Sequence, residues 1–168
     1  MAPRSTLEHL FSCFDAMYQV LGASAPSLTD DACVVRTYET ARAMGEVALA
    51  FRECLGEVTV GPFGPVCDAL LGAVANDLSG AMALYCVATV VGPRVLVSLR
   101  DASELSEFDE AARVVLRGAS ETLVREMLAA AHVAHGAVVE DRHWQERARQ
   151  LTGTLENSGY AESFGLSR

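Results

Sequence analysis

The stretch SGAMALYCVATVV, Ser79 to Val91, has no charged residue and no polar face. A helix with one apolar stripe lies on a surface, whereas a helix apolar all round has to be enclosed. The stretch therefore predicts a helix in the middle of the protein, with other helices packed about it. The uncharged run from Leu78 to Val91 is short against the roughly 20 residues that cross a bilayer. Gly92, Pro93 and Arg94 follow directly, which favours burial inside a fold over a membrane span. Proline lacks an amide donor and crowds the preceding turn, so Gly92-Pro93 is expected to kink or end this arm. Arg94 to Leu99 could then be a short strand.

Working outward, the segment EVTVGPFGP is dense in Gly and Pro and predicts a loop. Val66, Leu70 and Val74 restore an i, i+4 stripe over a short helix that Asn76 and Asp77 interrupt. Further upstream, Asp30 and Asp31 favour a helix start. Val34, Tyr38, Ala41, Gly45, Ala48, Phe51 and Leu55 then follow one face of a long helix. The opening segment places Leu7, Leu10, Phe11, Phe14, Met17, Tyr18 and Leu21 at helical spacing, from a Ser5-x-x-Glu8 capping box to Gly22. Downstream of the polar DASELSE stretch, Phe108, Ala112, Val115, Ala119, Leu123 and Met127 repeat with the same period toward His135 and Gly136. Trp144, Ala148, Leu151 and Leu155 mark another helix, and Tyr160 with Phe164 a final turn. Alternating β-branched runs with tight turns are missing. The expectation is an all-α single domain over residues 1–168, a bundle of about seven helices around the central apolar one.

The composition narrows the function. With 51% apolar residues and a formal net charge of −9, the chain is globular and repels polyanions, and no basic run offers nucleic acid a stripe. Lysine is absent and the glycines fit neither GxGxxG nor GxxxxGK[ST], so a phosphate cradle has no anchor. Cys13, Cys33, Cys54, Cys67 and Cys86 form no CxxC pair and read as reduced core residues of a cytosolic protein. His132 and His135 sit one turn apart with Asp141 and His143 nearby, but their place near a helix end suits the dipole better than a metal. Glu104, Glu107, Asp109 and Glu110 read as acids at a helix start rather than as a hydrolytic pair. The opening MAPRSTLEHL lacks a secretory apolar core, and no apolar tail ends the chain at Arg168, so neither export nor a transmembrane anchor is expected. No catalytic grouping, metal or cofactor is predicted, which leaves binding through shape.

Three segments together resemble the Bcl-2 family of apoptosis regulators, including its compact viral members. ARAMGEVALAFR, Ala41 to Arg52, looks like the BH3 motif, with Gly45 and Glu46 as its small and acidic residues. VTVGPFGPVCDALLGAVANDLSGAMALYCVATVV follows the family's order of Thr/Gly/Pro loop, short helix, polar turn and central helix. Within it, Leu78 to Ala81 stand where the family usually has Asn-Trp-Gly-Arg, so Gly80 is kept while Ser79 and Ala81 replace the aromatic and the arginine. LENSGYAESFG, Leu155 to Gly165, looks like the BH2 segment through Asn157, Gly159, Tyr160 and Phe164. The stretch between the central helix and this last segment is longer than the family's.

The resemblance implies an inhibitor of apoptosis, with no enzymatic activity, that sequesters the BH3 helices of pro-apoptotic proteins such as Bim, Bak and Bax. It implies action in the host cytoplasm or at the mitochondrial surface, and it leaves homodimerisation open. Mapped onto this sequence, the groove would be lined by Ala48, Phe51, Arg52, Leu55, Val66, Leu70, Leu71, Val74, Leu78, Gly80, Ala81 and Leu84. Each is also an ordinary core residue in a plain reading. The family arginine pairs with an aspartate of the ligand, and its loss at Ala81 leaves Arg52 or Arg94 as substitutes. A second reading within the same fold is a viral modulator of innate NF-kappaB signalling that acts through a surface outside the groove.

Overall fold

The computed structural model describes residues 3–56 and 81–138. All regular structure in them is helical, with no strand. Helix α1 (Pro3–Ser24) leads through a single 3-10 turn, Ala25–Ser27, into α2 (Asp31–Leu55). Helix α3 (Ala81–Cys86), a π-helical turn (Val87–Val91) and α4 (Gly92–Ser103) follow one another without a break in right-handed helical backbone. Helix α5 (Glu110–Val138) is the longest among the described residues. The short helix expected at Val66 to Val74, the Trp144 to Leu155 helix, the Tyr160 and Phe164 turn and the BH2-like segment lie outside the described residues.

Local chemistry explains the ends of α2. The Asp30 carboxylate accepts the Cys33 N–H at 2.8 Å, an N-cap that satisfies one of the donors a helix start leaves open. At the other end Gly56 takes φ +72°, a conformation that L side chains rarely adopt, and donates its N–H to the Arg52 carbonyl at 3.1 Å. Helix α5 begins in the same manner, with the Asp109 carboxylate accepting the Ala112 N–H at 2.8 Å. That is the dipole role expected for this acidic stretch. Helix α1 starts differently from expectation: Pro3 is already helical, Ser5 lies inside the helix, and Glu8 pairs with Arg4 at 3.0 Å instead of closing a capping box. Its C-terminus also runs past Gly22 to Ser24.

Gly92-Pro93 does not end the apolar arm, and the strand alternative for Arg94 to Leu99 is overturned by helix. The wider π turn absorbs the proline: Gly92 donates to the Val87 carbonyl five residues back, and Pro93 becomes the start of α4, where its missing N–H costs little. The Arg94 guanidinium then donates to the Val90 carbonyl at 2.8 Å, and the Thr89 hydroxyl to the Tyr85 carbonyl at 2.8 Å. The continuous helix Ala83–Ser103 is long and apolar enough to cross a membrane, by length and composition alone. Here Ala83, Leu84, Val87, Val91, Val95 and Leu99 are buried inside the protein, as an all-round apolar helix requires.

Helices α1 and α2 form an antiparallel hairpin, because Tyr18 lies over Gly45 while the earlier Phe14 meets the later Phe51, ring centroids 5.7 Å apart. One hydrophobic core joins Leu10, Phe14 and Met17 of α1, Met44 and Phe51 of α2, the arm from Ala83 to Leu99, and Leu116, Leu123 and Ala130 of α5. The buried stripe of α2 keeps Ala41, Ala48, Phe51 and Leu55 of the expected one but widens to one side: Cys33, Thr37, Thr40, Met44 and Val47 are also inside, whereas Tyr38 faces out. Tertiary pairing with α5 turns the helix this way, since the nearly buried Glu126 of α5 needs partners on α2. Arg36 donates to its Oε2 at 3.2 Å and Thr40 at 3.3 Å, while Arg125 reaches Oε1 at 3.1 Å.

Gly92 sits where α4 crosses α5. A Cβ there would come within 2.6 Å of Met127 Sδ and 2.8 Å of the Val87 carbonyl oxygen. Gly92→Ala is therefore expected to lower unfolding stability by roughly 1–3 kcal/mol in chemical denaturation, because the Val87 backbone has no slack to give. For the buried ion pair the expected order is that Arg36→Met costs more than Glu126→Met. The first strands a buried carboxylate with fewer donors, at about 3 kcal/mol, whereas the second leaves Arg36 still paired with Glu39 near solvent.

Candidate functional site

A cleft of about 600 Å³ opens between α1 and α2. Seven of its lining residues, Ala41, Arg42, Gly45, Glu46, Ala48, Leu49 and Arg52, belong to the BH3-like segment, and Phe11, Asp15, Tyr18 and Gly22 face them from α1, with Tyr38 one turn ahead on α2. This segment is split by the helical period. Met44, Val47 and Phe51 point into the core, Arg42, Glu46, Leu49 and Arg52 form the outward face, and Ala41 and Ala48 lie buried at the seam between them. Gly45 gives the Tyr18 ring room to lie close here, 3.1 Å from where its Cβ would be.

Apolar surface is left open at this cleft. Tyr18 is 46% exposed, Tyr38 55% and Leu49 54%. Charge sits beside it: Arg42 is paired with Glu46 at 2.8 Å, while Arg52 is exposed and makes no ion pair among the described residues. An apolar trough with an unpaired guanidinium along its edge suits an amphipathic helix that carries a carboxylate beside its apolar stripe.

Of the groove residues assigned from the sequence, Ala48 and Arg52 line this cleft. Phe51, Leu55 and Leu84 lie in the main core. Ala81 is 2% exposed, packed with Cys33 beside Leu28 and Val133. An arginine at that position would have to bury its guanidinium. Val66, Leu70, Leu71, Val74, Leu78 and Gly80 lie outside the described residues. Of the two candidate replacements for the family arginine, Arg94 is committed to the π turn and Arg52 faces the open cleft.

Sequence reasoning placed Tyr18 and Tyr38 on buried stripes and passed over Leu49. A signal was present for each. Val47 to Phe51 are apolar at five successive positions, more than one helical face can hold, so one had to face outward. Tyrosine, with a polar tip on an apolar body, suits the edge of such a stripe better than its centre.

Among the described residues, a Cys–His approach in α1 lacks the protonation states of a catalytic pair. His9 Nε2 lies 3.7 Å from Cys13 Sγ, but burial pushes the Cys13 thiol up and the His9 imidazole down. Both shifts favour the neutral forms, the reverse of the thiolate–imidazolium pair that a nucleophile needs. Burial likewise raises Cys86 to about 12, and burial with the adjacent Asp30 raises Cys33 to about 11. His132 and His135 are exposed on the last turns of α5.

Cys54 departs from the expectation of a core residue: it is exposed at the end of α2. Burial of its sulfur and then the nearby Asp109 and Glu53 raise its value, so it is accessible yet sluggish at neutral pH. Among the described cysteines, alkylation of the folded protein is expected to label Cys54 first, with a rate that climbs into the alkaline range. Cys13, Cys33 and Cys86 should react only on unfolding, as mass spectrometry of iodoacetamide-treated protein would read out. No protein-family model, curated protein or solved structure matches this chain.

Proposed function

We propose that this chain is a Bcl-2-like inhibitor of apoptosis, a bundle of about seven helices that sequesters BH3 helices of pro-apoptotic partners. One observation carries the reading. The segment that resembles BH3 presents an open apolar face with Arg52 exposed at its side, where a helical ligand finds both hydrophobic anchors and a cation for its aspartate. Covering the exposed half of Tyr18 or Tyr38 removes on the order of 100 Å² from water, worth roughly 2 kcal/mol each. Micromolar binding needs about 8 kcal/mol net of the cost of association, so these two anchors supply about half of that figure and the rest of the ligand's apolar stripe has to supply the remainder.

The partner-binding surface in this reading is the α1–α2 cleft, with Ala48 and Arg52 retained from the groove that the sequence suggests and Tyr18, Tyr38 and Leu49 added. The burial of Phe51, Leu55, Ala81 and Leu84 favours a second reading, in which the same fold modulates NF-kappaB signalling through a surface outside the family groove. Both readings put the protein in the host cytoplasm and give it a protein partner.

Calorimetric titration with BH3 peptides of about 26 residues, long enough for several helical turns, separates them. Binding that weakens about tenfold in Arg52→Glu and in Tyr38→Ala supports sequestration through this cleft. Silence across the panel, with activity in an NF-kappaB reporter and none in a cell-death assay, selects the second reading.

A further inference from the structure

A second cleft of about 600 Å³ lies on another part of the molecule, between α4 and α5. Arg100 of α4 and Arg113 and Arg117 of α5 line it together with the half-buried Leu96 and Val97. This gathers three of the chain's 13 basic residues in a protein of net charge −9, against one lining carboxylate, Glu121. The three guanidiniums are not spent on one another's neighbours to the same degree. Arg113 is held in place by donating to the Phe108 carbonyl at 3.0 Å and the Ser106 carbonyl at 3.3 Å. Arg100 makes only a long, exposed contact of 3.4 Å with Asp101, and Arg117 no ion pair among the described residues.

The combination selects its ligand. Guanidiniums match carboxylates in bidentate geometry, and an apolar floor beside them has no use for a small inorganic anion. A polyanion such as nucleic acid would meet the long-range repulsion of the whole acidic molecule, whereas a short peptide samples only the local field. We propose that the α4–α5 cleft docks an acidic, amphipathic segment of a partner protein, its carboxylates on Arg100 and Arg117 and its apolar side chains on Leu96 and Val97. The site shares no residue with the α1–α2 cleft and stands or falls separately from the BH3 reading.

The test uses the full chain and a fluorescein-labelled helical peptide of about 16 residues, built from Glu with Leu at i, i+3 and i+4 spacing and containing no BH3 motif. Fluorescence anisotropy should show saturable binding that weakens as salt is raised and falls about tenfold or more in Arg100→Gln/Arg117→Gln. Both substituted side chains are exposed, so far-UV circular dichroism should be unchanged. Affinity should persist in Arg52→Glu, and a Lys–Leu peptide of the same pattern should fail to bind. The proposal is overturned by equal affinity in the double variant, or by full competition from millimolar inorganic phosphate. It is equally overturned if the cleft is filled by a second copy, seen as a dimer in light scattering that the double variant abolishes.

Discussion

The central helix can cross α5 at close range only because Gly92 has no side chain. At that crossing the Val87 carbonyl, the Met127 thioether and the Gly92 α-carbon share a space that one further methyl group would overfill. The same few residues form the π turn, so this tight helix crossing and the irregularity in the arm are one feature. A turn with an added residue lets a proline stand inside a long helix, and the arginine just after it donates its guanidinium N–H back to the Val90 carbonyl within that turn. From this point the arm keeps its apolar residues in the core on both sides of Pro93. Leu84 and Val87 lie before it, and Val95 and Leu99 after.

The two clefts follow from how the remaining helices meet that core. Helices α1 and α2 come together over Gly45, which admits the Tyr18 ring but leaves tyrosines and a leucine partly uncovered along the seam. Helix α2 cannot rotate to hide Tyr38, because Arg36 and Thr40 are held to the buried Glu126 of α5. A buried carboxylate fixes orientation more firmly than apolar contact does, since sliding it away from its donors costs far more than exchanging one methyl contact for another. The exposed aromatic face on α2 is thus the other side of a polar pin. The α4–α5 cleft differs in its balance, with three arginines against one carboxylate and no tyrosine in its lining, and gives the protein a second surface of distinct chemistry.

Much of the fold was legible in the chain itself. The all-round apolar character of Ser79 to Val91 called for an enclosed helix, the Asp30 cap and the acidic Asp109 set two helix starts, and helical periodicity named Leu10, Phe14 and Met17 of α1 and Ala112, Ala119 and Leu123 of α5 as core, while passing over Leu116 and Ala130. Less of the site was legible. Helical periodicity gives a stripe to within about one residue in the turn, and that uncertainty was enough to place Tyr38 inside the protein when it stands outside. Cys54 was misplaced for a related reason, since it stands on the outer side of a last turn whose Phe51 and Leu55 face the core.

Sequence alone determined the class of structure, the buried centre and the acidic surface, because those depend on which residues are apolar and how often they recur. Only tertiary structure decided that Gly92-Pro93 continues a helix, since a π turn is stabilised by packing and by the Arg94 side chain rather than by any local preference. It alone decided which face of the BH3-like segment remains open, because that depends on a carboxylate 86 residues away from Thr40 in the chain. Local preference acts over one or two turns, while the direction a helix faces is set by the partners it finds across the core.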